Sequence, residues 1–305
     1  MKVAIVGMGR VGSALAFLLV ERGVADELVL VDRERRIAEG EALDLAHAQA
    51  FTRHTTEVYA GGEEDTRGAD VIVLTCSAPW RAEYTSRFDI GSANLRIFRE
   101  LVPVLAGLSP EAKLLVVSNP VDVMTYHTLQ LSGFEASRVF GTGTLIDSAR
   151  FRTLLSRKLG IHPDDVRAYI LGEHGETQFP ELSMAMTGGT RILNDDTTRE
   201  LFNKTTRAGF EVVNRKGHTN FAVSMAAALV IEAIAQDTCR TMPLSVAVDG
   251  YLGVRDVCLS LPVVVGRAGV TRVLYPEFSA EEEQAFRRCA EVVRKGIERS
   301  LRDSN

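Results

Sequence analysis

The chain has 305 residues, enough for two domains or for one with a large elaboration. Its 46% hydrophobic and 25% charged content is that of a globular protein, and a formal charge of −5 argues against nucleic acid or an anionic membrane as the main partner. No apolar run approaches the roughly 18 residues of a membrane helix. Met1 runs straight into Lys2-Val3-Ala4-Ile5-Val6, which reads as a strand, so no signal peptide is expected ahead of the fold. Cys76, Cys239, Cys258 and Cys289 are scattered in apolar surroundings without CxxC or metal spacing. Buried free thiols, a reducing cytoplasm and no bound metal are therefore expected.

In chain order, the pattern predicts a strand over Val3–Val6 and a helix over Ser13–Arg22, with Leu15, Leu18 and Leu19 on one face. A strand over Leu28–Val31, a helix over Ile37–Ala50, a strand over Val71–Thr75, a helix over Asn94–Leu105 and a strand over Leu114–Val117 follow. Solid β-branched runs such as Val71-Ile72-Val73-Leu74 suit strands buried on both faces, hence a parallel sheet. Alternating βα units of this kind specify a Rossmann-type, doubly wound α/β fold.

The second half changes to an α+β character. Strands are expected over Val166–Leu171 and Ser183–Thr187, the latter running into a Gly188-Gly189 hairpin turn. Helices over Asp196–Arg215 and Phe221–Ala235 precede two antiparallel strands, Leu244–Val248 and Val257–Pro262. A capping box at Ser279 and Glu282 opens a last helix carrying Phe286, Cys289, Val293 and Ile297 at helical spacing. With no repeat, low-complexity tract or linker between them, residues 1–142 and 143–305 are expected to be a nucleotide-binding and a substrate domain sharing one body.

Gly7-Met8-Gly9-Arg10-Val11-Gly12 follows a strand and opens a helix. The first glycine permits the tight turn, the second lets backbone approach a pyrophosphate, and the third lets helix and strand pack closely. Asp32 stands at the end of the second strand, where its carboxylate suits a ribose diol and repels a 2′-phosphate. NAD is thus expected over NADP, with Arg33 as a partial offset. A strand-end cap is the other reading of Asp32.

His174 lies between glycines in Leu171-Gly172-Glu173-His174-Gly175, downstream of Asp147 and Arg150. A carboxylate can orient an imidazole and favour its charged form, and a guanidinium can hold an acidic substrate. Together with the nucleotide fingerprint, this reads as a hydride-transfer site for a small 2-hydroxy acid. A non-catalytic NAD-binding protein is the rival, although sensing NAD needs none of these three side chains. His47, His54, His127, His162 and His218 are expected in surface or packing roles.

Several collinear segments resemble the lactate/malate dehydrogenase family. They are Gly40-Glu41-Ala42-Leu43-Asp44-Leu45, Ser118-Asn119-Pro120-Val121-Asp122, Gly143-Thr144-Leu145-Ile146-Asp147-Ser148-Ala149-Arg150, the His174 segment, and Lys216-Gly217-His218-Thr219. The resemblance implies that His174 exchanges a proton with the substrate oxygen, with Asp147 holding its tautomer. It implies that Arg150 grips the substrate carboxylate and that Asn119 contacts the carbonyl oxygen or the nicotinamide region. Thr219 would stand beside the substrate side chain. An ungapped count places Arg87 at the family's mobile-loop arginine, which polarises the carbonyl on closure. The loop Pro79–Ser86 lacks the family's usual Lys-Pro-Gly turn.

The same count puts Arg81 at the family's substrate-discriminating position, where Arg accompanies oxaloacetate and Gln accompanies pyruvate. Glu173 and Thr219 are similar to the lactate-type pattern, while Gln178-Phe179 and the Asn119 and Asp147 segments are similar to 2-hydroxyisocaproate dehydrogenases. The resemblance implies an NAD-dependent L-2-hydroxy acid dehydrogenase, read as lactate first, with malate or a branched acid as the alternatives. The helix around Glu39–Ala48 resembles the family's dimer contact, implying a homodimer or homotetramer. Arg152 and Arg167 fall where bacterial lactate dehydrogenases bind a sugar bisphosphate, with Arg167 replacing a histidine.

Overall fold

The structure is a computed structural model that describes residues 1–79 and 89–304. Its centre is a nine-stranded sheet in the order β12-β11-β10-β6-β5-β4-β1-β2-β3. The first six strands are β1 (Lys2–Val6), β2 (Glu27–Val31), β3 (Glu57–Gly61), β4 (Val71–Leu74), β5 (Lys113–Val116) and β6 (Val139–Gly141), all parallel. The chain winds outward from β1 to β3, then returns to place β4 on the other side of β1. That reversal opens a crevice beyond the ends of β1 and β4, where doubly wound sheets bind ligands.

Alternation along β1 sends its side chains into two cores. Val3 and Ile5 join Leu15 and Leu19 of α1 (Arg10–Arg22) and Ala227 and Ile231 of α7 (Phe221–Gln236). Ala4 and Val6 join Phe98 and Val102 of α3 (Gly91–Leu108) and Met124 of α4 (Val121–Ser132). A third cluster packs Phe151 and Leu155 of α5 (Leu145–Leu159) on Ala168 and Ile170 of β7 (Arg167–Leu171).

The antiparallel strands expected in the second half form, but they are longer and differently placed. β10 (Arg240–Asp249), β11 (Arg255–Gly266) and β12 (Gly269–Val273) extend the first-half sheet, with Ser245 pairing against Gly141 of β6. A separate small sheet holds β7, β8 (Phe179–Thr187) and β9 (Thr190–Arg191), the last two joined by the expected Gly188-Gly189 turn. Gly172 and Ser260 bridge the two sheets.

The remaining helices are α2 (Arg35–Ala48), α6 (Asp196–Lys216) and α8 (Ala280–Asp303). α1 begins three residues earlier than expected, and α2 gives way to a short 3₁₀ turn at Gln49–Phe51. The Ser279/Glu282 capping box forms as expected. Cys258 and Cys289 are buried, but Cys239 is exposed, correcting the expectation of four buried thiols. It sits at a positive φ of 50° just ahead of β10. No described helix is long and apolar enough to cross a membrane.

Candidate active site

At the end of β1 the backbone turns sharply through Gly7, whose φ is +110°. A Cβ there would lie 2.5 Å from the Cys76 nitrogen, so only glycine lets β1 and β4 end side by side. A Cβ on Gly12 would lie 2.0 Å from the Gly7 carbonyl oxygen, whereas one on Gly9 would meet nothing within 4 Å. Gly9 is also the N-cap of α1, so the helix N-terminus is left without a side-chain cap beside open space. That is the cradle a pyrophosphate needs.

Asp32 follows β2 directly. Its Oδ2 accepts the Met8 amide at 2.7 Å and its Oδ1 accepts the Glu34 amide at 2.9 Å. The strand-end capping role is therefore real. It also aims the carboxylate at the glycine turn, and each oxygen keeps a second lone pair for a ribose hydroxyl. On the other side of Gly7, just past β4, Cys76 is held neutral, its thiol pushed up to about 12 by burial.

A cleft of about 590 Å³ runs from this turn to the second half, lined among others by Val11, Asn119, Arg150, His174 and Thr219. The Asn119 Oδ1 is buried without a hydrogen-bond partner among the described residues. An orphaned acceptor on a cleft wall calls for a donor from a ligand, as an amide such as nicotinamide provides. The Gly9 opening, the Asp32 carboxylate and this acceptor together fit a dinucleotide.

His174 sits in the turn after β7, with its Nδ1 2.5 Å from Asp147 Oδ2. Asp147 Oδ1 accepts from Arg150 Nη1 at 3.0 Å. Asp147 is only 2% exposed and His174 12%, so the pair is shielded while the imidazole still reaches the cleft. The alignment comes from stitching α5 to β7. Thr144, the N-cap of α5, donates its hydroxyl to the Ile170 carbonyl at 2.5 Å, and the Ile170 amide donates to Ser148 at 2.9 Å. Asp147 and Arg150 are one turn apart on α5 and so share a face.

The glycines flanking His174 are there for steric reasons. A Cβ on Gly172 would lie 2.4 Å from Cys289 Sγ of α8, and one on Gly175 would lie 2.2 Å from Glu173 Oε1. Glu173 is buried and accepts from the Thr177 amide and hydroxyl, which folds the turn back on itself. Thr219 reaches the cleft from the loop joining α6 and α7, after Gly217 ends α6 in a left-handed conformation.

Gly7, Gly9, Gly12 and Asp32 thus lie at one end of the crevice, and His174, Asp147, Arg150, Asn119 and Thr219 at the other. Arg81 and Arg87 lie outside the described residues. Two contacts were not foreseen: Asp122 accepts the His174 amide at 2.7 Å, and the Arg10 guanidinium meets the His218 ring. Asp122 ends the Ser118-Asn119-Pro120-Val121-Asp122 segment, but no spacing in the sequence connects it to His174.

Arg152 and Arg167 line a second open cleft, of about 580 Å³, with Tyr169, Thr238, Arg240 and Thr241. Arg152 is already engaged by Asp164 Oδ1 at 2.9 Å and the Pro163 carbonyl at 3.1 Å.

Residues 1–141 match the family model described as lactate/malate dehydrogenase, NAD binding domain, and residues 144–303 match the alpha/beta C-terminal domain of the same family. An L-lactate dehydrogenase of Gloeobacter violaceus is 40% identical, covering 97% of this chain and 92% of its own length. One from Synechococcus is 39% identical over 98% of this chain and 99% of its own. Among solved structures, a lactate dehydrogenase from a deep-sea metagenome library superposes with a TM-score of 0.94 at 32% identity, covering 98% of both chains. The minor L-lactate dehydrogenase of Enterococcus mundtii does so with the same score and identity over 97% of each. The chain belongs to the lactate/malate dehydrogenase family, an NAD-dependent oxidoreductase acting on a CH–OH group.

Proposed function

We propose that this protein is an L-lactate dehydrogenase that interconverts pyruvate and L-lactate. The observation that carries the reaction is the Arg150–Asp147–His174 chain, with its imidazole facing the cleft that also holds Asn119 and Thr219. Bound NADH supplies the hydride that goes to the carbonyl carbon. Gly7, Gly9, Gly12 and Asp32 hold the dinucleotide, and Asn119 orients its nicotinamide end or the substrate oxygen. Arg150 pairs with the substrate carboxylate through the guanidinium edge not used by Asp147. Protonated His174 gives its proton to the carbonyl oxygen and is left neutral. Asp147 keeps the ring oriented by accepting from Nδ1, so the proton transferred is the one on Nε2. The family resemblance gives Arg87, outside the described residues, the role of polarising the carbonyl.

Pyruvate is favoured by the buried Glu173, by Thr219, and by relatives that are L-lactate dehydrogenases. Arg81 favours oxaloacetate, since its charge would neutralise a second carboxylate and would be left unpaired against a methyl group. The test is NADH oxidation measured in parallel with pyruvate, oxaloacetate and 2-ketoisocaproate, in the wild type and in Arg81→Gln. Pyruvate is expected to have the highest kcat/KM; an oxaloacetate preference that Arg81→Gln abolishes would make this a malate dehydrogenase. His174→Ala is expected to lower kcat by about 10²–10⁴ while NADH still binds, as loss of a general acid does.

The cofactor half is taken as residues 1–142 and the substrate half as 143–305. A cytoplasmic location is supported by the four unpaired cysteines. A homodimer or homotetramer is supported by α2, which leaves Ile37 and Leu43 exposed. Arg152, Arg167 and Arg240 around the second cleft support a sugar-bisphosphate effector.

A further inference from the structure

A second carboxylate stands behind His174, and the mechanism above gives it no part. Asp122 is the second residue of α4, three positions after Asn119, and is 3% exposed. Its Oδ2 accepts the His174 amide at 2.7 Å, and its Oδ1 accepts the hydroxyl of Ser245 on β10 at 2.6 Å. Three pieces of the molecule therefore meet on one side chain. They are the helix that begins beside Asn119, the turn carrying His174, and the strand that joins the second half to β6. A neutral hydroxyl or amide could satisfy the same amide at less cost than a buried ionisable group.

We propose that Asp122 is a positioning residue for hydride transfer, fixing the backbone of His174 to the helix that follows Asn119 and favouring the charged form of the imidazole. This rests on His174 being the proton donor. The electrostatic surroundings agree with it. Burial, with a smaller push from Glu173, outweighs the Ser245 and His174 hydrogen bonds and the His174 charge and leaves Asp122 raised to about 7. The other titratable neighbours are Cys258 on β11 and Cys289 on α8, both kept neutral by burial, Cys289 with its thiol pushed up to about 12. After burial and the hydrogen bonds from Ser245 and the His174 amide, the charges that Asp122 answers to are those of His174 and Glu173. When His174 carries its proton, Asp122 is drawn toward the carboxylate; when the proton has gone to the substrate, that pull ends.

The test uses Asp122→Asn, which keeps an acceptor oxygen and removes the charge, and Asp122→Leu, which removes both. NADH affinity by fluorescence, kcat, KM for pyruvate and the pH profile of pyruvate reduction are measured for each. Asp122→Leu is expected to lose about 100-fold in kcat, the scale of a small misplacement of a catalytic group, with NADH affinity kept. Asp122→Asn is expected to move the limb that reports protonated His174 to lower pH, because the imidazolium loses a favourable neighbour. If Asp122→Leu does not fold, the Asp122→Asn profile decides alone. An Asp122→Asn enzyme with wild-type kcat and an unmoved limb overturns the proposal. His174→Ala, run alongside, separates the two readings: if it stays active the proton-donor assignment fails, and if it is inactive while Asp122→Asn behaves as wild type, only the role of Asp122 fails.

Discussion

Two glycines of one motif do different work. Gly12 is held by packing, since any side chain there collides with the Gly7 carbonyl, while Gly9 faces open space at an ordinary φ of −74°. Gly12→Ala is therefore expected to destabilise the fold by about 1–3 kcal/mol, the usual cost of overpacking. Gly9→Ala is expected to melt as the wild type does but to bind NADH about tenfold more weakly, roughly 1.4 kcal/mol for one lost close approach. Thermal melts and fluorescence titrations of the two variants check this, and a Gly9→Ala protein that binds NADH normally would refute it. Some of the site residues were legible from a local spacing that physical chemistry can interpret, whereas Asn119 and Thr219 were legible only through the family resemblance. Asp147 and Arg150 are a helical turn apart, and the glycines punctuate a turn. The Asp122–His174 and Arg10–His218 contacts join residues 52 and 208 positions apart, and no local pattern marks them.

At the level of elements, most strands that were read from sequence are continuous apolar ones, and what escaped was short, irregular in its burial, or buried all round. β6 is three residues long, and β3 shows no clean alternation, with only Gly61 buried. In α4 seven of the first eight residues are buried, among them Thr125, His127 and Thr128, so no polar face gives the helical period away. α8 is the opposite case, announced by its capping box, yet Glu282 does more than cap. Its Oε2 accepts the Ser279 amide at 2.8 Å, while its Oε1 accepts the Leu182 and Ser183 amides of β8 at 2.8 and 3.0 Å. Ser279→Ala removes only the cap, at about 1 kcal/mol. Glu282→Ala leaves three amides without their acceptor and is expected to cost roughly 2–3 kcal/mol. Urea unfolding distinguishes them; equal losses would mean that Glu282 does not tie α8 to the small sheet.

On the scale of the whole molecule, the sequence suggested two halves in one body, and the continuous sheet through β6 and β10 gives the physical form of that union. α8 completes it by returning to α3 and α4, where Arg96 and Arg99 donate to the carbonyls of Asp303 and Ser304. His127 of α4 meets Ser300 of α8 at 2.7 Å in the same interface. Burial, aided by the Arg99 charge, depresses the His127 pKa from 6.5 to about 4. The folded protein thus keeps His127 neutral while the unfolded chain takes up a proton below 6.5. Its contribution to stability is present above that value and is lost as pH falls toward 4. At pH 5 the loss is roughly 2 kcal/mol by linkage. His127→Gln retains a polar partner for Ser300 and cannot titrate, so its stability should fall less between pH 7 and pH 5 than that of the wild type, by about that amount. Asp122 titrates in both proteins and cancels from the comparison. Parallel denaturant curves for the two proteins at the two pH values would show the docking of α8 as the acid-sensitive joint, whereas identical pH dependence would move that sensitivity elsewhere.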